Sequence, residues 1–166
     1  MNSQKDQKPF AIVLGCSDSR VPAEIVFGQG IGDIFVIRAA GNIVAPSQIA
    51  SIEFAAENFG TRLVVVLGHS RCGAVQVTLE QLVKPLENRS PHLSSIVDRI
   101  RPAVEYLLES NGDEDLMSRA VRANIDASVN NLHLGSDILK YLAEEKGLII
   151  IGAEYCRDTG AVTFIE

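Results

Sequence analysis

Four short, nearly continuous apolar segments do most to limit how this chain can fold. They are FAIVLGC (10–16), DIFVIRA (33–39), LVVVLGH (63–69) and GLIIIGA (147–153), each with the length and the β-branched content of a strand. Strands that are covered on both faces of a parallel sheet are apolar throughout, whereas strands with one wet face alternate. The pattern therefore predicts buried strands in a mainly parallel sheet.

Helical patterns separate these strands. The segment 47–60 places apolar residues at helical spacing and ends at Gly60, in the position of a C-cap glycine. The segment 91–146 is predicted to be helical throughout, with Ser136 as an N-cap, and AVTFIE (161–166) is predicted to be a short last strand. The predicted fold class is α/β, with a mainly parallel four-stranded sheet plus a short C-terminal strand, flanked by helices, in one domain covering 1–166.

Composition narrows the class of function. The chain has 166 residues, a formal net charge of -6 and scattered basic residues, which argues against a nucleic-acid partner. No segment has the roughly 20 apolar residues that cross a bilayer, and the first ten residues lack the apolar core of a secretory signal. Three cysteines do not make a disulfide framework, so we expect a reducing compartment: the cytoplasm, with an organelle matrix as the other option.

Two metal-ligand side chains end two of the predicted strands. Cys16 closes the first strand and His69 closes the third. In parallel α/β sheets, ligands bind outside the carboxyl ends of the strands. The sequence therefore predicts that Cys16 and His69 lie at one edge of the sheet.

Cys72 follows His69 by three residues, in the segment GHSRCGAV. A His-x-x-Cys at a strand-to-helix turn brings an imidazole and a thiolate within one turn of each other. With Cys16, it gives a Cys2His set that leaves the fourth tetrahedral position of a zinc ion open, as catalytic zinc sites do. Taken singly, a cysteine at a strand end is more often a small buried hydrophobe, so the prediction depends on all three residues together.

Asp18 and Arg20 follow Cys16 in the segment VLGCSDSR. On their own, these two residues would more often form a salt bridge in a turn than take part in catalysis. Next to a candidate metal ligand, they are candidate catalytic residues.

The motifs CSDSR and HSRCG, in this order, resemble those of the β-class carbonic anhydrases. GDIFVIRAAGN and GAEYCRDTGAV resemble segments of the same family, so the resemblance covers nearly the whole chain. It implies zinc-dependent, reversible hydration of carbon dioxide to bicarbonate and a proton, with zinc held by Cys16, His69 and Cys72. Zinc hydroxide would be the nucleophile, Asp18 would orient it, and Arg20 would hold Asp18 ionised.

The resemblance also implies roles for further residues and a second, closed form of the site. Asp18 would be a fourth zinc ligand in a closed form. Gln7 matches a glutamine that hydrogen-bonds substrate, and Phe35 and Ala40 match positions that line an apolar pocket for carbon dioxide. Phe54 stands where plant-like members carry a tyrosine, and the amide of Gly73 is a candidate anion contact at a helix N-terminus.

The resemblance implies a homodimer, or a higher oligomer built from dimers, with the site at the dimer interface. Only about nine residues precede the first predicted strand, so the helical arm with which family members wrap their partner is expected to be short or missing. The family's bicarbonate-regulated subgroup carries a tryptophan at the position of Val13, although Val21 and Arg38 match that subgroup. A regulatory bicarbonate site is therefore not expected.

Two alternatives to carbon dioxide hydration stay open at this point. Hydrolysis of carbon disulfide or carbonyl sulfide would use the same zinc ligands. A non-catalytic module stapled by zinc would need a fourth protein ligand and would have no use for Asp18 and Arg20 as a pair. A nucleotide-binding sheet is disfavoured, because GQGIGD precedes a strand and does not lie between a strand and a helix.

Overall fold

The computed structural model describes residues 7–84, 90–109 and 115–165, and within them five strands form one sheet. The strands are β1 (Ala11–Gly15), β2 (Ile34–Arg38), β3 (Leu63–His69), β4 (Ile149–Tyr155) and β5 (Val162–Ile165). Their order across the sheet is β2-β1-β3-β4-β5. The first four are parallel to their neighbours, and β5 is antiparallel to β4. The predicted α/β class, with its mainly parallel sheet and short last strand, is confirmed.

In the described part of the chain, six α-helices connect the strands. They are α1 (Ala23–Val26), α2 (Pro46–Asn58), α3 (Gly73–Val83), α4 (Pro91–Val104), α5 (Leu116–Leu134) and α6 (Asp137–Lys146), with short 3-10 helices at Ala40–Asn42 and Glu105–Glu109. The helical prediction for 91–146 is confirmed in the described part, since 110–114 lie outside it, as does residue 166 of the last strand. Ser136 caps α6, because its Oγ accepts a hydrogen bond of 3.0 Å from the amide of Leu139. None of the described helices combines the length and apolar character needed to span a membrane.

The main core lies between one face of the sheet and the helices. Alternate strand residues, Ile12 and Leu14 of β1 and Val64 and Val66 of β3, pack there with apolar residues of α2 to α6. A smaller cluster on the opposite face includes Val13, Val65 and Leu67.

The second face of the sheet has a much thinner cover within the described residues. Val21, Ala23 and Phe27, in and around α1, pack on it. Beside them lies a groove lined by residues that include Phe10, Val13, Phe27 and Phe164, and the side chains of Phe10 and Phe164 are 57% and 51% exposed. This face therefore carries more apolar surface than one short helix covers.

The strand order places a topological switch between β1 and β3. From β1 the chain first moves to β2 on one side and later to β3 on the other, so β1 and β3 are neighbours whose following loops diverge. A crevice opens at such a point, outside the carboxyl ends of the strands. Cys16 follows β1 and His69 is the last residue of β3. The fold thus brings the two predicted ligands to the position where α/β sheets bind ligands.

Candidate metal centre

Cys16, His69 and Cys72 form one buried cluster. Their ligand atoms all lie within 4.8 Å of one another, and the two sulfurs are 4.0 Å apart. Two thiolates bound to one tetrahedral zinc at ~2.3 Å each would be about 3.8 Å apart, so the sulfur spacing fits zinc with little adjustment. Cys156, the third cysteine, is not a member of the cluster within the described residues.

The buried imidazole of His69 supports a metal position independently of these distances. Its side chain is 0% exposed, and its Nε2 has no hydrogen-bond partner among the described residues. Its Nδ1 lies 3.1 Å from the carbonyl oxygen of Ser70, which fixes the ring. A buried polar atom without a partner is costly, and a metal ion on Nε2 would remove that cost.

The turn between His69 and Cys72 is held by the end of the sheet. The amide of Ser70 donates to the carbonyl of Tyr155 on β4 at 3.0 Å, and the Ser70 hydroxyl accepts from the amide of Arg157 at 3.0 Å. Arg71 adopts a positive φ of 54°, which reverses the chain so that Cys72 becomes the N-cap residue of α3. This tight reversal is how the two ligands of the His-x-x-Cys motif come to face the same point.

Asp18 and Arg20 form a bidentate ion pair beside the cluster. Arg20 donates from Nε to Oδ1 at 2.9 Å and from Nη2 to Oδ2 at 2.6 Å, and its amide also donates to Oδ1 at 3.0 Å. Asp18 Oδ2 lies 3.8 Å from the unpartnered Nε2 of His69. The carboxylate therefore borders the metal position, and the Arg20 side chain that holds it is 58% exposed.

Hydrogen bonds at the site shift the pKa values of its three acids in different directions. The hydrogen bonds from Arg20 hold the pKa of Asp18 well below its ordinary value, although partial burial opposes the shift. A hydrogen bond from Cys72 lowers the pKa of the Cys16 thiol, and the same contact raises the pKa of Cys72. The raised pKa favours the neutral thiol of Cys72, and binding of a metal ion to its sulfur would release that proton.

A backbone amide that the sequence analysis missed also faces the cluster. Gly41, in the 3-10 turn after β2, donates its N–H to Cys16 Sγ at 3.3 Å, and the amide of Asp18 donates to the same sulfur at 3.4 Å. The Gly41–Asn42 dipeptide was a usable signal, because both residue types tolerate the left-handed backbone that the turn adopts.

The predicted substrate-binding residues differ in burial and in their place in the fold. Phe35 of β2 and Phe54 of α2 pack together at 6.3 Å between ring centroids. Ala40 is half-buried and precedes Gly41, and Gly73 is the exposed first residue of α3. Gln7 lies exposed ahead of β1, at the start of the described chain.

The similarity of this chain to known proteins agrees with this geometry. The sequence model of the carbonic anhydrase family matches residues 11–162. A carbonic anhydrase of Mycolicibacterium smegmatis is 47% identical over 98 residues, which are 59% of this chain and 47% of that protein. This chain thus spans about half the length of that relative. Carbonic anhydrase 2 of Mycobacterium tuberculosis is 36% identical over 159 residues, covering 93% of this chain and 73% of that one.

The fold has solved relatives as well. A crystal structure of a tetrameric beta-carbonic anhydrase from the ascomycete Sordaria macrospora superposes with a TM-score of 0.81 at 26% identity, over 96% of this chain and 82% of that chain. Fold, family match and the Cys-His-Cys cluster point the same way. The chain belongs to the β-carbonic anhydrase family.

Proposed function

We propose that this chain catalyses the zinc-dependent, reversible hydration of carbon dioxide to bicarbonate and a proton. The observation that carries the proposal is the Cys16, His69 and Cys72 cluster with the Asp18–Arg20 pair at its border. Three protein ligands and an adjacent, oriented carboxylate suit a catalytic metal. A metal that only staples a fold has four protein ligands and no such neighbour.

Zinc would be held by the two thiolates and by Nε2 of His69, which all face one point. When bound, it would supply Lewis acidity that makes water a nucleophile near neutral pH. Soft sulfur donors favour zinc over magnesium or calcium at this site.

Asp18 is suited to orient the nucleophile. An ionised carboxylate only accepts hydrogen bonds, and each of its oxygens can accept two. Arg20 Nη2 occupies one lone pair of Oδ2, the oxygen that borders the metal position. The second lone pair of Oδ2 is available for the O–H of the nucleophile, and this would aim the attacking oxygen at the carbon.

The same carboxylate is the proposed fourth ligand of a closed site. In the structure, both of its oxygens are bonded to Arg20. Closing would require Oδ2 to give up its 2.6 Å bond to Arg20 Nη2. The two hydrogen bonds from Arg20 therefore favour the open form and oppose closure.

We propose that carbon dioxide binds next to the cluster, against Phe35, Ala40 and Phe54, with Gln7 and the amide of Gly73 as polar contacts. Ala40 precedes the Gly41 amide that contacts Cys16, whereas Phe35 pairs with Ile12, four residues before Cys16. Phe35 and Phe54, which pack together, and Gln7 would therefore complete an apolar wall at the metal position from across a dimer interface. Carbon dioxide is apolar overall and carries two acceptor oxygens, so such a wall with a few donors suits it.

We infer that the chain forms a homodimer or a higher oligomer built from dimers. The exposed aromatic side chains on the thinly covered sheet face support this, as does the tetrameric state of the Sordaria macrospora protein. Light scattering on the purified protein should give at least a dimer mass, and Phe164→Glu should shift it toward the monomer. A monomer at micromolar concentration would contradict the inference.

A cytoplasmic location is part of the proposal. All three cysteines are free thiols, and two of them are candidate metal ligands, which suits a reducing compartment. Fractionation of the native host should place the protein with the cytoplasmic enzymes.

Stopped-flow carbon dioxide hydration on the zinc-loaded protein tests the activity. We expect clear activity in the wild type and a loss of about 100-fold or more in Asp18→Asn, which keeps the shape and removes the charge. Glu144→Gln, an exposed acid on α6, is the control and should match the wild type. Hydrolysis of carbon disulfide or carbonyl sulfide without carbon dioxide hydration would overturn the proposal.

The metal content of cysteine variants distinguishes the proposed ligands Cys16 and Cys72 from Cys156. We expect one zinc per chain in the wild type and in Cys156→Ser, and far less in Cys16→Ser or Cys72→Ser. Stoichiometric zinc with no hydration at any pH would favour the stapled module.

A further inference from the structure

We propose that Asn124 and Ser128 of α5 are positioning residues for the metal site. They fix the turn after β2 so that the Gly41 amide donates to Cys16 Sγ. This inference rests on the proposed metal-dependent function, and it assigns a role to a helix that contributes no ligand.

The backbone conformation of this turn is unfavourable unless other contacts stabilise it. Gly41 has a φ of 70° and Asn42 has a φ of 45°, so two successive residues are left-handed. Left-handed backbone costs a non-glycine residue about 1 kcal/mol or more. The turn itself supplies one hydrogen bond, from the Asn42 amide to the Ala39 carbonyl at 2.9 Å.

Helix α5 supplies further hydrogen bonds to this turn. Asn124 Nδ2 donates to the carbonyl of Gly41 at 2.8 Å, and Ser128 Oγ donates to the carbonyl of Asn42 at 3.1 Å. Asn42 Nδ2 also lies 3.5 Å from Ser128 Oγ. Asn124 and Ser128 are four residues apart, so their side chains share one face of the helix.

These polar side chains are buried, so their hydrogen bonds matter. Asn124, Ser128 and Asn42 are 3%, 3% and 2% exposed. A buried amide or hydroxyl is costly unless it is hydrogen-bonded, and every bond described above goes to the one turn. An apolar side chain would pack in such a place at lower cost, so packing alone does not account for the pair.

The turn also has no room to relax toward the core. A Cβ added at Gly41 would lie 2.8 Å from Ile100 Cδ1 and 3.0 Å from Ala74 Cβ. Gly41 therefore lies close against α3 and α4, and its carbonyl oxygen is held by Asn124 of α5. Its 3.3 Å contact with Cys16 Sγ depends on both restraints.

The Gly41 amide restrains Cys16 Sγ from a different part of the chain than the Asp18 amide does. Asp18 N–H belongs to the same short segment as Cys16, whereas Gly41 comes from the next strand connection. A hydrogen bond to a thiolate withdraws electron density from sulfur and fixes the direction in which the sulfur binds metal. Partners behind a metal ligand typically change metal affinity or activity by about 10–100-fold when removed.

Cobalt-substituted protein gives a readout that a merely structural role would not move. We would compare the wild type with Asn124→Ala, Ser128→Ala and the control Leu132→Ala, a buried α5 residue in the main core. Two quantities are measured: the wavelength of the sulfur-to-cobalt charge-transfer band, and zinc affinity by chelator competition.

We expect the band to move to longer wavelength in Asn124→Ala, because a thiolate that lost its hydrogen bond gives up an electron more easily. Zinc affinity should fall by about 10–100-fold. Ser128→Ala should change both quantities in the same direction by less, and it decides the question if Asn124→Ala does not fold. Leu132→Ala should lower thermal stability and leave both quantities at wild-type values.

An unchanged band and affinity in the folded variants would overturn the positioning role, and so would a wild type that binds no cobalt. Both readouts are independent of turnover. Failure of carbon dioxide hydration in a protein with normal metal binding would therefore sink the proposed function and leave this inference standing.

Discussion

The close packing of α5 on the sheet predicts that a glycine-to-alanine substitution in β3 lowers the stability of the protein. Ile125 of α5 is fully buried and lies against two glycines on neighbouring strands, Gly68 of β3 and Gly152 of β4. A Cβ at Gly68 would stand 2.5 Å from both Cδ1 and Cγ1 of Ile125. Carbon atoms in contact prefer about 3.5–4.0 Å, so Gly68→Ala forces helix and strand apart next to His69.

Two effects of this substitution oppose each other. Overpacking a core costs about 1–3 kcal/mol, whereas replacing glycine by alanine in a strand returns about 0.5–1 kcal/mol through the unfolded chain. The steric cost is larger, because Ile125 is also 2.8 Å from a Cβ position at Gly152 and has no free side to move into. We expect a net loss of about 1–2 kcal/mol, or roughly 2–8 °C in Tm for a domain of this size.

A double-mutant cycle measured by urea denaturation tests the cause. Ile125→Ala alone should cost about 2–5 kcal/mol, and the Gly68→Ala/Ile125→Ala double variant should cost about 1–3 kcal/mol less than the sum of the singles. Gly73→Ala is the control, because a Cβ there meets nothing within 4 Å. A neutral Gly68→Ala, or strictly additive singles, would refute the reasoning.

Three further predictions follow from named contacts. Arg20→Ala should lower kcat/KM for carbon dioxide hydration about 10–100-fold with zinc still bound. Arg20→Lys should recover only part of the lost activity, since lysine lacks the bidentate fork that holds Asp18, and wild-type activity in the lysine variant would contradict this. Burial raises the pKa of Glu154, so above the pKa of the unfolded chain the ionised carboxylate destabilises the folded state. Glu154→Gln should therefore raise the urea midpoint at pH 7, and this gain should vanish below about pH 4. A gain of equal size at pH 3 would exclude the charge as its cause. Ser136→Ala removes the cap on the Leu139 amide and the hydrogen bond to Glu53 Oε1, and it should cost about 0.5–2 kcal/mol in thermal unfolding. Ser136→Thr keeps a hydroxyl that can both accept and donate, and it should retain most of that stability.

The sheet could be predicted from the sequence because its strands are apolar on both faces. The limits of β3 are those predicted, and β1, β2 and β5 differ from the prediction by a residue or two. β4 begins two residues late, because Gly147 is the left-handed C-cap of α6 and the Leu148 amide bonds back to Leu142 at 3.0 Å. Local apolar content does not distinguish such a cap from the start of a strand. Helix α1 was not predicted, since four residues carry no measurable periodicity.

The metal cluster was predictable for a topological reason. Cys16 and His69 end adjacent parallel strands, and Cys72 follows within one turn, so strand order alone brings all three together. The Gly41 amide was not predictable in this way. Its approach to Cys16 depends on a left-handed turn and on Asn124, which is 83 residues further along the chain.

X-ray absorption at the zinc edge of the loaded protein tests the central claim most directly, because it counts the ligands by element. The account predicts two sulfurs at about 2.3 Å, one imidazole nitrogen at about 2.0–2.1 Å and one oxygen, and a single sulfur in whatever zinc Cys16→Ser or Cys72→Ser retains. A third sulfur, four protein ligands at every pH, or a zinc ion with no sulfur neighbour would contradict it.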